Sequence, residues 1–250
     1  MKTSNKLILA ALLLVLISLF SYDYLLKEAY ISGKYKNPYN DFTTLKFKDF
    51  DTIDVVSSTA ANVKFVQGPF SVRIDTNFID YVKVKQTGKH LQINTVFESG
   101  YLYNPNPYIL VISCPKLVKV NVNATFRSNN TQVTDTIVRE EWNMRKVLID
   151  GFKQDSLTIN EDYGSTVVLA NNQIRSINGV IGASKKSGSK LIIQKSNQFQ
   201  DVNLDIENKS SLLLNDALIR NLNYHLADSA KLVLMGNAQN LIKNSNPQPK

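Results

Sequence analysis

Apolar and polar residues follow three successive patterns along this chain, and each predicts a different element. Residues 7–20 are apolar except for Ser18, and the hydrophobicity continues through Tyr22, Tyr24, Leu25 and Leu26 around one acid, Asp23. That predicts a membrane-spanning helix within residues 1–26, with Lys2 and Lys6 on the cytoplasmic side and the tyrosines at the interface. No small-x-small cleavage site follows Val15 before residue 35, which favours an uncleaved anchor over a signal peptide, and no cysteine follows to carry a lipid. Either way the body of the chain is expected outside the cytoplasm, periplasmic or at the cell surface. Residues 27–44, holding Gly33, Pro38, Tyr30, Tyr35 and Tyr39, read as a linker, and residues 243–250 as a flexible tail.

From Phe42 onward, short aliphatic runs alternate with Asn, Asp, Ser and Gly, which is a strand pattern. Predicted strands include 53–56, 63–66, 72–74, 82–84, 91–93, 109–112 and 118–122. Helical spacing competes only over 138–148.

A fixed period then appears. Ile174, Ile177, Asn178 and Ile181 recur as Phe199, Val202, Asn203 and Ile206, and again as Ile219, Leu222, Asn223 and Leu226. A second series tracks it: 167–169, 191–193, 212–214 and 232–234. One step is longer because about four extra residues sit in the Ser184–Gly188 loop. Leu117, Val120, Asn121 and Ala124 fit the same template earlier in the chain. Repeats of this size made of short strands cannot bury a face alone and stack into a β-solenoid, predicted over residues 45–242. Asn121, Asn178, Asn203 and Asn223 are then expected at equivalent corners, with their amides bonded in a ladder. An antiparallel β-sandwich is the competing architecture; leucine-rich repeats are disfavoured because their helical half and Leu-x-Leu consensus are missing. The sequons at Asn123 and Asn208 matter only in a eukaryotic secretory route.

Composition narrows the function classes. With 29 Lys+Arg against 21 Asp+Glu the chain is basic, but the excess is spread: residues 27–124 hold 12 basic and 8 acidic, residues 125–250 hold 15 and 12. Nucleic-acid binding is disfavoured, and the cluster Lys185, Lys186, Lys190 and Lys195 reads as a solvated loop. One cysteine and two histidines leave little for a zinc site, and although metal chemistry by carboxylates alone stays open, no metal site or cofactor is assigned. The 27 asparagines against 10 glycines point to turns served by Asn in left-handed conformations.

These residues resemble the bacterial GIN-domain family, described as autotransporter adhesin head domains. The resemblance rests on Phe50 and Ile53, Val63 to Gly68 followed by Val72-Arg73-Ile74, Val82 to Val84, Leu91-Gln92-Ile93, and Ile112-Ser113-Cys114-Pro115 with Leu117. It covers about residues 45–235 and implies an all-β, right-handed β-helix-like solenoid outside a bacterial membrane, with no chemistry to carry over. The chain departs from the family's glycine-rich coils and inserts about 25 residues around Trp142.

Catalytic candidates are weak. Ser-x-x-Lys occurs at Ser113 and Ser187 at a frequency expected by chance, Cys114 before Pro115 reads as a buried thiol, and His90 and His225 read as turn and surface residues. Asp201, Asp205 and Glu207 lie in one coil, but the next coil offers Asn221, Tyr224 or His225, and Ala227, so no acidic column forms. Contact candidates are Tyr101, Tyr103 and Tyr108 around Asn104-Pro105-Asn106-Pro107, and Trp142; packing of the tyrosines as an end cap is the equal alternative. The expectation is a membrane-tethered, non-catalytic module that meets an envelope glycan or protein, adhesin-like or scaffolding. The alternative is a polysaccharide lyase or hydrolase on a β-helix scaffold; a sensor ectodomain is weakened by the short stretch before the apolar run.

Overall fold

The computed structural model describes residues 2–33, 36–97, 108–138, 145–227 and 229–241. The chain divides after Phe42 into two compact units. The first holds α1 (Thr3–Ser32), whose apolar side chains are exposed throughout. At 30 residues it is about 45 Å long, and its 18-residue apolar window has a mean hydropathy of 2.1, so length and composition suffice to cross a membrane. The helix runs past Leu26 into the expected linker, because Lys27 to Ser32 contain no breaker. It stops at Gly33, whose left-handed φ of 64° lets its N–H close on the Tyr30 carbonyl.

The second unit is almost entirely β, in two mixed sheets that contribute to one core. The nine-stranded sheet runs, in spatial order, β1 (Phe42–Leu45), β4 (Ser71–Asp75), β7 (Leu110–Cys114), β3 (Val63–Gln67), β11 (Val147–Asp150), β13 (Thr166–Ala170), β15 (Lys190–Ile193), β17 (Ser211–Asn215) and β19 (Lys231–Met235). The ten-stranded sheet runs β10 (Thr131–Thr134), β9 (Thr125–Ser128), β6 (His90–Phe97), β2 (Thr52–Val55), β8 (Lys119–Val122), β12 (Lys153–Glu161), β14 (Gln173–Ile181), β16 (Gln198–Ile206) and β18 (Leu218–Leu226), with β5 (Val82–Thr87) beside β6. From β11 to β19 the chain alternates between the sheets, and each strand pairs in parallel with the next strand of its own sheet.

The repeat found in the sequence is the hydrogen-bond register. Ile174 pairs with Phe199 and that with Ile219; Ile177, Val202 and Leu222 follow suit, as do Asn178, Asn203 and Asn223. One further repeat belongs to the series, since Gln154, Leu157, Thr158 and Glu161 pair with Ile174, Ile177, Asn178 and Ile181. Sequence reading misses it because Gln154 and Glu161 put polar groups where the template has aliphatics. The spacing of three between the first two apolar positions marks a kink, since Asp155, Arg175, Gln200 and Arg220 are skipped in the pairing and are exposed. The long step also resolves. Nine residue steps separate Ile181 from Lys190 against five from Ile206 to Ser211, and five separate Ile193 from Gln198 against four from Leu214 to Leu218. Four residues are thus inserted at the expected loop and a fifth lies in the next turn.

Three expectations need correction. The Asn178 column lies mid-strand on the outer face of the ten-stranded sheet rather than at corners, because inward Ile177 and Val202 alternate with it. Asn121 belongs to a neighbouring column, in register with Asp54 and Asn160, two residues from where the template placed it. The stretch 138–148 ends in strand β11, and its parallel pairing with β3 and β13 overrides the helical spacing. Asparagine does serve turns, though sparingly: it supplies four of the eight non-glycine residues described with positive φ, including Asn129 and Asn130 at the two-residue turn of the β9–β10 hairpin.

The true corners use other residues. Asn172 and Asn197, each just before a long strand, are fully buried. The Asn197 side chain accepts from the Asn172 N–H and amide and donates to the Leu169 and Gln194 carbonyls. The opposite corner stacks buried Ser165, Ser189 and Ser210.

Candidate functional site

Outward-facing side chains of the ten-stranded sheet form two adjacent columns because parallel in-register strands put equivalent residues one above another. In the first, the Asn121 amide donates to Asp54 and the Asn160 amide to Asn121 at 3.0 Å; Val180, Asp205 and His225 continue it. In the second, Lys119 and Thr158 lead to Asn178, Asn203 and Asn223; the Asn203 amide donates to Asn178 and the Asn223 amide to Asn203, both at 2.9 Å, while the Asn178 amide donates to the Ser176 hydroxyl at 3.1 Å. Beside it, the Asn221 amide donates to Asp201 at 2.8 Å.

Between the two columns runs an open trough of about 550 Å³, walled by Thr158, Asn178, Asn203 and Asn223 on one side and by Asn160, Asp205 and His225 on the other. It shares Asn160 and Val180 with a second hollow of about 480 Å³ that holds Asp54, Gln92, Asn121, Asn123 and Asp162. A third, of about 700 Å³, lies along the kink and presents Arg175, Gln200 and Arg220 beside Gln173 and Gln198. The trough's lining carries side-chain amides and hydroxyls with one acid, Asp205, and one histidine, His225, which suits hydroxyl-bearing ligands better than anionic ones.

The acids do not converge. Asp201 stacks between Ser176 and Asn221, and Asp205 between Val180 and His225. Among the described residues, no group of three or more His, Cys, Asp or Glu is placed to hold a metal ion. The Cys114 thiol is fully buried, and burial together with the nearby Asp51 charge pushes it up to about 12, so it is no nucleophile near neutrality. Ser187 is buried and donates to the Tyr163 carbonyl, which ties it to the corner. His90 begins β6, 3.8 Å from Asp54, and His225 is exposed. Of the lysine cluster, Lys185 and Lys186 lie in the inserted loop, Lys190 on β15, and Lys195 3.9 Å from Asp216.

Of the contact candidates, Tyr101, Tyr103 and Trp142 lie outside the described residues. Tyr108 is half-buried, with the Lys64 ammonium 6.0 Å from its ring centroid. Lys64 in turn bonds Asp150 at 2.8 Å. Burial opposes charge on Asp150, but hydrogen bonds from Lys64 and Asn171 and the Lys64 charge outweigh it and hold the carboxyl below its ordinary value. Tyr108 therefore belongs with the nine-stranded sheet and takes no part in the trough.

Sequence reading passes over Glu161. It is fully buried in an otherwise aliphatic column between Val122 and Ile181. Burial pushes its carboxyl well above the usual carboxylate range, and neither of its oxygens has a hydrogen-bond partner among the described residues. Its signal in the sequence was an acid at the template's last aliphatic position.

No family model matches the chain, and no curated protein matches it in sequence. Among solved structures it is similar to a candidate adhesin from Bacteroides fragilis, at 13% identity and a TM-score of 0.41, over 78% of this chain and 96% of that one. A candidate adhesin from Parabacteroides merdae gives 14% and 0.34 over 78% and 95%. A candidate lipid-binding protein from Parabacteroides distasonis gives 13% and 0.35 over 78% and 94%. At these identities and scores the likenesses assign neither family nor function to the chain.

Proposed function

We propose that this chain is a membrane-tethered, extracytoplasmic β-solenoid, right-handed and β-helix-like, that works by contact as an adhesin-like or cell-envelope scaffold module and not by catalysis. The observation that carries the reading is the continuous polar outer face of the ten-stranded sheet. Asn203 there spends one N–H on Asn178 and one lone pair on Asn223 and keeps the others for solvent or ligand. Successive coils repeat that unused capacity at a spacing of about 4.8 Å, which fits a hydroxyl-rich envelope glycan lying along the trough.

The alternation of strands between two sheets from β11 to β19 supports the solenoid reading. The GIN-like pattern supports it too, since Phe50, Ile53, Val72, Ile74, Leu91, Ile93, Ile112 and Leu117 are all buried. The apolar, exposed α1 supports the tether.

The test is a binding screen of the detergent-solubilised full chain against glycans and envelope extracts. Wild type is run beside a trough variant, Asn203→Ser with His225→Ala, and a Tyr101→Ala, Tyr103→Ala, Trp142→Ala variant. Binding lost in the trough variant alone is the expected result. Loss only in the aromatic variant moves the site to those residues, and slow consumption of a glycan by wild type overturns the contact reading in favour of an enzyme.

A further inference from the structure

The two ends of the sheets are finished differently. At one end the parallel runs give way to antiparallel strands: β4 beside β7, β5 beside β6, and β10 beside β9, with Phe50 and Phe78 buried beneath. At the other, β18 and β19 are edge strands, and their outer edges meet no strand among the described residues. The inward side chains record the same contrast. Val202, Leu204, Ile206, Leu212 and Leu214 are buried, whereas Leu222, Tyr224, Leu226, Leu232 and Leu234, stacked directly on them, are only partly so. Leu218 and Met235 stay 60% and 46% exposed.

Exposed edges are blunted by proline, inward-pointing charges, lysines or bulges. Neither strand has a proline or an inward-pointing charge, and the protection is confined to the kink at Arg220 in β18 and to Lys231 at the start of β19: β18 reads LIRNLNYHL and β19 KLVLM. The 3₁₀ turn Gly236–Gln239 packs against β17 and β19, burying Ala238, and Leu241 after it is partly buried against the core. Residues 242–250 bring one aliphatic side chain, Ile242, and two prolines that cannot donate to a ladder, so they make a poor strand partner for these edges.

We propose that this edge docks a second copy of the chain across a two-fold axis, β18 against β18 and β19 against β19, both antiparallel. The arrangement is self-complementary. Aligned about its midpoint, β18 sets Leu222 against Leu222 of the partner subunit and Asn221 against Asn223 of the partner subunit. β19 sets Val233 against Val233 of the partner subunit and Lys231 against Met235 of the partner subunit. The charges on these strands, Arg220 and Lys231, never face their own kind, and the half-exposed leucines of both copies close on each other. A head-to-tail stack would instead press this edge on the antiparallel strands of the other end, which already shield the core there. The proposal stands independently of what the trough binds.

Sedimentation of the full chain in detergent tests it. Wild type is expected to dimerise with concentration, and Val233→Lys and Val233→Glu are each expected to weaken the dimer several-fold, because each puts like charges across the axis. Mixing the two variants should restore it, which a misfolded variant could not do. A wild type that stays monomeric, or a dimer indifferent to both substitutions and so held by α1 or another surface, overturns the proposal. So does a dimer that appears only when residues 242–250 are deleted, because the tail would then be the native occupant.

Discussion

Two sets of asparagines that run side by side, Asn172 and Asn197 in one and Asn178, Asn203 and Asn223 in the other, do opposite jobs. Asn172 and Asn197 are fully buried at a corner, and their amides close on backbone groups that no water reaches. Asn178, Asn203 and Asn223 stand on the outer face, bonded to one another with solvent as the competing partner. The same side chain thus fixes the path of the chain in one place and is available for contact in the other. Burial, not residue type, decides which.

The sharpest way to break the comparison is Asn197→Ala. It leaves the buried Asn172 N–H without its acceptor and removes one of two bonds from the Asn172 side-chain amide and from the Leu169 and Gln194 carbonyls, and it should cost roughly 1–3 kcal/mol, read as a lower urea midpoint. Glu161→Leu should act in the other direction. Replacing a buried carboxyl by an aliphatic side chain in an aliphatic column should raise stability near neutral pH by about 1–3 kcal/mol. Because the folded state raises the Glu161 carboxyl above its unfolded value, the fold holds this proton more tightly. Its contribution is complete below the ordinary carboxylate range and is lost as pH rises toward the folded value. Midpoints measured from acid to mildly alkaline pH should therefore fall in wild type and fall less in Glu161→Gln.

Asn203→Ala on the outer ladder should cost only about 0.5–1 kcal/mol, and an unchanged midpoint would remove the ladder from the stability account. Cys114 reports the difference without perturbing it. Buried and held protonated, it should resist alkylation in native wild type and in Asn203→Ala, and it should label measurably faster in Asn197→Ala as the fold opens.

How much of this could be read from the sequence depended on where each signal lived. The columns 174/199/219 and 178/203/223 were legible because parallel in-register stacking repeats both hydrophobicity and spacing. The repeat of β12 escaped because Glu161 and Gln154 break the aliphatic rule, and Asn121 was misassigned because a two-residue slip keeps a side chain on the same face of a strand. The buried corner was illegible for a different reason. Its stacked positions are Phe152, Asn172, Asn197 and Ala217, so the asparagine pair is flanked by an aromatic ring and a methyl group and no residue type runs through the column. The trough was only half visible, since Asn160, Asp205 and His225 line up across strands far apart in the chain.

The most direct test is a pair of double-mutant cycles by chemical unfolding, Asn172 with Asn197 and Asn203 with Asn223, each to alanine. An inner pair coupled by about 1.5 kcal/mol or more, beside an outer pair coupled by less than about 0.5 kcal/mol, is the result predicted if the corners hold the fold and leave the outer face free for contact. Equal coupling in the two pairs would contradict it.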